Sequence, residues 1–204
     1  MGLYREQVIP RIVSAVCSMK SARPLRGRVC AGLSGEVIEI GFGSGLNLPF
    51  YPPQVRQIAA VEPADISWNM AARRLAQTNI TVERSGRDAQ SLPYPDNGFD
   101  AALSTWTLCA IPDVSAALRE VHRVLRPGAP IHFVEHGLAD DEGVRRLQQR
   151  IDRVHARVAG CHVSRPIVEL LRSAGFVITD LDVFYQRGAP KFAGAVSLGV
   201  GLAA

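Results

Sequence analysis

Apolar residues recur at Val8, Ile9, Ile12, Val13, Val16 and Cys17, the three-and-four spacing of one helical face. They predict an N-terminal helix over about residues 4–20, followed by a Pro/Arg/Gly-bearing, partly helical linker over 21–35. From there the pattern changes. Glu36-Val37-Ile38-Glu39-Ile40 is short, rich in β-branched residues and closed by glycine, the signature of a buried strand. A helical stretch is expected next, stopped by Pro52-Pro53. Further strands are expected over 58–61, 80–83, 100–105, 130–135, 176–184 and 191–198. Between them, helices are expected over 67–78, 115–125, 140–158 and 164–173. The helix over 115–125 stops at Arg126-Pro127-Gly128, where proline cannot continue it and glycine takes the turn.

Strands separated by helices of this length form βαβ units, hence a mostly parallel α/β sheet with helices on both faces. Ligands of such sheets bind beyond the carboxyl ends of the strands. A chain of 204 residues suits a single domain, read as an N-terminal helical cap over 1–34 and a core over 35–204.

Composition narrows the class. The net charge is +4, but the arginines are scattered. The clusters Arg23-Arg26-Arg28 and Arg145-Arg146-Arg150-Arg153 read as solvated faces, which argues against a nucleic-acid partner. Cys17, Cys30, Cys109 and Cys161 lie far apart without a Cys-x-x-Cys, so neither a disulfide scaffold nor a bound metal is expected, and a reducing cytoplasm fits. No run approaches the ~20 apolar residues of a membrane span. The charged N-terminal stretch does not read as a secretory leader. Its apolar face would either pack over the core or touch a membrane surface peripherally.

The strongest motif is Glu39-Ile40-Gly41-Phe42-Gly43-Ser44-Gly45, set between the first strand and the segment after it. Gly41, Gly43 and Gly45 allow a tight turn and close approach of backbone to ligand. The spacing is Gly-x-Gly-x-Gly rather than the Gly-x-Gly-x-x-Gly of a dinucleotide site, whose last glycine is replaced by Leu46. Glu39 would repel a pyrophosphate but would suit an ammonium group. Glu62, ending the second strand, can accept both hydroxyl protons of a ribose. Asp88, in Gly86-Arg87-Asp88-Ala89 after the third strand, can accept from an adenine amine.

Taken with Val61-Glu62-Pro63, Asp88-Ala89-Gln90-Ser91-Leu92-Pro93, Phe99-Asp100 and the run Leu118 to Gly128, this motif resembles the class I S-adenosylmethionine-dependent methyltransferases of the ubiquinone/menaquinone-biosynthesis type (methyltransferase type 11). The resemblance covers roughly residues 35–135. Phe50-Tyr51-Pro52-Pro53, Thr107-Leu108-Cys109, Glu135-His136 and Gly160-Cys161 followed by Arg165 resemble a narrower branch, the methyltransferase-like alkyl thiol methyltransferases. Phe42 and Ala129 depart from the pattern, as does an N-terminus too short for the hydrophobic anchor of those relatives. The resemblance implies a Rossmann-like, seven-stranded sheet with the last strand antiparallel. It implies S-adenosylmethionine as cofactor and S-adenosylhomocysteine as product; separately, a monomer or homodimer is expected. The resemblance places Glu39 and the three glycines at the methionine part, with Thr105 and Asn47 in the same cradle. Glu62 and Pro63 would meet the ribose, and Asp88 with Ala89 the adenine.

The acceptor is expected to be small and hydrophobic, a thiol or phenol. Alternatives are carbon or oxygen methylation of a quinone or lipid precursor, or a cofactor-binding module without turnover. His136, just past the fifth strand, is the candidate base. Trp106 and Tyr4 are candidate walls of the acceptor pocket, with Phe184, Tyr185 and Phe192 as further aromatics. His162 could border it. His132 reads as structural, His122 and His155 as solvated or capping groups on helices, and Cys109 as packing.

Overall fold

The computed structural model describes residues 8–204. The elements are α1 (Ile9–Cys17), α2 (Arg23–Cys30), β1 (Gly35–Ile40), β2 (Val55–Val61), α3 (Asp65–Leu75), β3 (Thr81–Gly86), β4 (Ala101–Thr105), α4 (Val114–Val124), β5 (Pro130–His136), α5 (Glu142–Ala159), α6 (Ile167–Ser173), β6 (Phe176–Tyr185), α7 (Lys191–Gly194) and β7 (Ala195–Ala203). The sheet has seven strands in the order β3-β2-β1-β4-β5-β7-β6. β7 runs antiparallel to both β5 and β6, and the other pairings are parallel. The Rossmann-like sheet with an antiparallel last strand is therefore as expected.

Strand order reverses between β1 and β4, the switch point where open α/β sheets bind ligands. Register brings the carboxyl ends there into one row. Ile40 pairs with Val61 and with Ser104, and Thr105 with Val134. Whatever follows these residues lies side by side at that edge: the glycine loop, Glu62, Trp106 and Glu135.

Alternation along the strands feeds two cores, one on each face of the sheet. Ile38, Ala102, Ile131 and Phe133 pack with α4 and α6, through Leu118, Val121 and Leu171 among others. Val37, Ala101, Leu103 and Val134 pack with α2 and α3, through Leu25, Val29, Cys30 and Ala71. α4 buries Val114, Ala117, Leu118, Val121 and Val124, one stripe at helical spacing, and Asp113 caps it by accepting from the Ala116 N–H at 2.9 Å.

Three segments differ from the pattern-based expectation. The helix expected before Tyr51 is only a short 3₁₀ turn, Leu48–Phe50, because prolines at Pro49, Pro52 and Pro53 leave no room for a hydrogen-bonded run. The strand expected over 191–198 begins at Ala195, and Lys191–Gly194 form a helical turn after Pro190. The linker is more ordered than expected, forming α2, which packs on the sheet.

Leu118 is fully buried between α4 and the sheet. Leu118→Ala is expected to cost about 2–5 kcal/mol through lost transfer energy and the cavity left behind. In urea titration this lowers the midpoint and leaves the slope unchanged.

Candidate cofactor and acceptor site

The loop after β1 is shaped by two glycines with different tasks. Gly41 has φ near 72°, and a Cβ there would fall about 2.1 Å from the Thr107 hydroxyl oxygen. The two loops can touch only because that atom is missing. Gly43 has φ near 60°, and a Cβ there would meet only the Gly41 carbonyl, at 3.9 Å. It would point into open space, a cradle of backbone awaiting a ligand. Gly45 instead faces Leu48, Ala71 and Phe42, in the packing behind the loop.

Glu62 closes the other side of this loop. One carboxylate oxygen accepts from the Gly43 N–H at 2.7 Å and the other from the Ala64 N–H at 2.8 Å. Each carboxylate oxygen has room for a second donor. Burial raises the Glu62 pKa, against the two N–H groups and the charge of Arg84. Asp88 lies exposed after β3 and accepts from the Gln90 backbone and side-chain N–H groups at 2.9 and 2.8 Å.

Glu39 is wholly buried on the α2 face of the sheet. It accepts from the Asn47 amide at 2.7 Å and the Tyr51 hydroxyl at 2.6 Å. Asn47 also donates to the Thr105 hydroxyl at 3.0 Å and accepts from Arg26 at 2.6 Å. Arg26, only 4% exposed, reaches the Cys17 carbonyl at 3.1 Å and lies 4.9 Å from the centre of the Trp106 ring. The solvated reading of Arg26 is thus overturned. It shares the inner face of α2 with Leu25, Val29 and Cys30, and that placement was the signal in the sequence. Burial pushes the Glu39 pKa up to about 7, the two donors and Arg26 opposing it.

On the opposite face, Glu135 is equally buried. One oxygen accepts from Ser104 Oγ at 2.7 Å and from the N–H groups of Thr107 and Leu108 at 2.9 and 3.1 Å. Its other oxygen is buried without a partner. Under this clamp the chain turns sharply, and Trp106 takes φ near 51°, a left-handed conformation costly for a bulky residue.

These groups open onto one cavity of about 550 Å³. Gly41, Gly43, Glu62, Pro63, Asp88 and Ala89 line it at the loop end. Thr105, Trp106 and Arg26 line its floor, and α1 covers it through Ile9, Val13, Ser14 and Cys17, with Ser14 bonded to Ser44 at 2.8 Å. Glu39, Gly45 and Asn47 stand behind the wall and do not line it. Tyr4 lies outside the described residues. Phe184, Tyr185, Phe192 and His162 do not line the cavity, and His162 pairs with Asp152 at 2.6 Å. His132 donates from Nδ1 to the Val29 carbonyl at 2.9 Å.

His136 also stands behind the wall. Its Nδ1 is 3.7 Å from the Cys109 sulfur, and Cys161 completes a cluster of three. The pKa of the buried Cys109 thiol is raised. That of Cys161 is lowered, through the Cys109 thiol first and then His136 and His155.

A glycine loop, a carboxylate on the next strand and a deep cavity at the switch point define a Rossmann-like protein that binds a nucleoside cofactor. Residues 38–133 match the model of a family described as "Methyltransferase domain". A thiol S-methyltransferase of Homo sapiens is 32% identical over 155 residues, 72% of this chain and 62% of that protein. The chain therefore spans somewhat under two thirds of that relative. A 2-phytyl-1,4-naphtoquinone methyltransferase of Synechococcus elongatus is 43% identical over 78 residues, 38% of this chain and 33% of its own length. The structure of an S-adenosylmethionine-dependent methyltransferase from Thermotoga maritima superposes with a TM-score of 0.69 at 20% identity, covering 98% of this chain and 97% of that one. Over residues 38–133 the chain thus resembles the S-adenosylmethionine-dependent methyltransferases of the type 11 group, and this similarity implies S-adenosylmethionine as the cofactor.

Glu39 makes the fold sensitive to pH. Its folded pKa, about 7, lies above the ordinary 4.5, so the folded state holds the extra proton between those values. The stability this proton confers is complete below pH 4.5 and is lost as pH rises through 7. Glu39→Gln removes the titration. The variant is expected to lack the part of the decline in urea midpoint that the parent shows from pH 4.5 to 7, and parallel profiles would contradict this.

Proposed function

We propose that the protein transfers the methyl group of S-adenosylmethionine to the sulfur of a small, hydrophobic thiol. The observation that carries this reading is the division of the cavity wall. Its charged residues are Arg26, Glu62, Arg87 and Asp88, while Ile9, Val13, Trp106, Ala110 and Ile111 make an apolar remainder.

The charged part fits the cofactor. Gly43 leaves backbone space at the loop, and Glu62 has spare acceptor capacity for ribose hydroxyls, with Pro63 beside it. Asp88 and Ala89, lining the cavity after β3, are assigned to the adenine in this reading. Arg26 is a buried cation beside Thr105, suited to the carboxylate of the methionine part. Glu39 and Asn47 act at one remove, by orienting Thr105 and Arg26.

The bound cofactor supplies a methyl group already activated by the sulfonium, whose leaving group is a neutral thioether. The residues of this chain then have to hold the acceptor in line and exclude water. The apolar wall and the α1 cover do both. Among the described residues that line the cavity there is no histidine, and Glu62 and Asp88 lie on the cofactor side. An acceptor entering the apolar side must therefore ionise easily by itself, as a thiol with a pKa of about 8.5 does. His136, one layer behind, is not needed as a base in this reading. The similarity to a thiol S-methyltransferase supports the same acceptor class. The quinone methyltransferase among the relatives keeps a quinol as the competing acceptor.

The test is transfer of labelled methyl to an alkyl thiol, a phenol and a demethylated quinol. Methylation of the thiol, rising with pH toward its pKa, is expected. Transfer to the quinol alone would replace the proposed acceptor. For the cofactor half, Glu62→Ala is expected to weaken S-adenosylhomocysteine binding by about tenfold or more, since a hydrogen bond to a charged group contributes about 1.5–3 kcal/mol. Calorimetric titration showing unchanged affinity would remove Glu62 from the ribose.

A further inference from the structure

We propose that Cys109, Cys161 and His136 form a binding site for a divalent zinc-type metal ion, set behind the acceptor side of the cavity. The three lie on separate elements: the loop after β4, the segment after α5 and the end of β5. Their ligand atoms, one from each, all fall within 4.8 Å of one another.

The donor set is thiolate and imidazole, which suits zinc and disfavours magnesium or calcium. In tetrahedral zinc, bonds of about 2.3 Å to sulfur and about 2.0–2.1 Å to nitrogen put S and N roughly 3.6 Å apart. Cys109 Sγ and His136 Nδ1 are already 3.7 Å apart. The third ligand atom, the Cys161 sulfur, lies within 4.8 Å of both.

The surroundings hold the ligands for this purpose. The His162 N–H donates to the Cys109 carbonyl at 2.8 Å, tying the two cysteine loops together. Arg165 donates to the neighbouring Leu108 carbonyl, which holds the loop that carries Cys109. Asp152 accepts from the N–H groups of Val163 and Ser164 at 2.9 and 3.0 Å, fixing the Cys161 loop on α5. His155 Nδ1 lies 2.8 Å from the Cys161 carbonyl and 3.8 Å from the Cys161 sulfur, beside the ligating atom where an outer partner would act. Cys109 is buried, whereas Cys161 and His136 are partly exposed, so an ion has a way in. Three protein ligands leave a fourth position for water, as in open zinc sites.

The site does not depend on the choice of methyl acceptor and can be tested without activity. The full chain, purified in reductant and stripped with chelator, is titrated with Co²⁺ and then Zn²⁺. One Co²⁺ per chain is expected, with visible bands of tetrahedral geometry and sulfur-to-metal charge transfer, displaced by Zn²⁺. Cys161→Ala, at a partly exposed position, should abolish the bands while the circular dichroism stays that of the parent. Cys109→Ser should do the same. His155→Ala should weaken Zn²⁺ binding by about 10–100-fold, the usual effect of losing an outer partner. Absence of stoichiometric Co²⁺ or Zn²⁺ uptake by the reduced chain would overturn the proposal. So would bands unchanged in Cys161→Ala, or a Cys109–Cys161 disulfide that persists in reductant and takes up no metal.

Discussion

The clamp of Glu135 on the loop after β4 is the interaction on which the functional end of the sheet depends. A single carboxylate oxygen gathers the Ser104 hydroxyl and two successive N–H groups, Thr107 and Leu108. Backbone leaving a strand in the sheet centre has donors that must find acceptors, and here Glu135 supplies the acceptor. Satisfying them from β5 forces the sharp turn, and the turn puts Trp106 into its left-handed conformation on the cavity floor. The same turn presses Thr107 against Gly41, where no side chain could remain. The glycine loop and the cavity floor thus meet at one buried group.

Glu39 and Glu135 are a pair of opposites. Alternation of side chains sends Glu39 to the α2 face, with Val37 and Leu103, and Glu135 to the α4 face, with Ile131 and Phe133. Burial raises the pKa of both, and each is opposed by donors that differ in kind. Glu135 holds backbone, so it defines shape. Glu39 holds side chains, Asn47 and Tyr51, and through Asn47 it reaches Thr105 and Arg26. An unpaired buried charge costs several kcal/mol. On this face Tyr51, Asn47 and the charge of Arg26 offset that cost only in part, and the Glu39 pKa stays raised.

The sheet, its order of strands and helices and its glycine loop were legible in the sequence because each is a local pattern. Apolar runs bounded by glycine and proline leave little choice of element, and Gly-x-Gly-x-Gly after a strand leaves little choice of ligand end. Depth was harder to read. Glu39 sits two residues before Gly41, which suggested a place on the wall, yet strand alternation turns it into the core behind Asn47. Arg26 was hidden for the opposite reason: it stands among other arginines, and only its phase relative to Leu25, Val29 and Cys30 marks it as inward. The prolines at 49, 52 and 53 shortened the first crossover below a helix, a consequence their spacing already contained.

Cys109, His136 and Cys161 illustrate what no linear spacing could reveal. Thr107-Leu108-Cys109, Glu135-His136, Gly160-Cys161 and Arg165 are separated along the chain, yet each carries part of the resemblance to the thiol methyltransferases. In the fold they meet in one knot. Glu135 fixes the loop bearing Cys109, and Arg165 and His162 bind that loop's carbonyls. Gly160 ends α5 in a left-handed turn, beside Ile9 at the start of α1. A parallel sheet makes such convergence cheap, because every strand end arrives at the same edge. The knot therefore joins the loop after β4, the cover helix and the α5–α6 segment. Its members hold one another through backbone carbonyls and N–H groups, so the segments bordering the cavity are fixed by residues that do not line it.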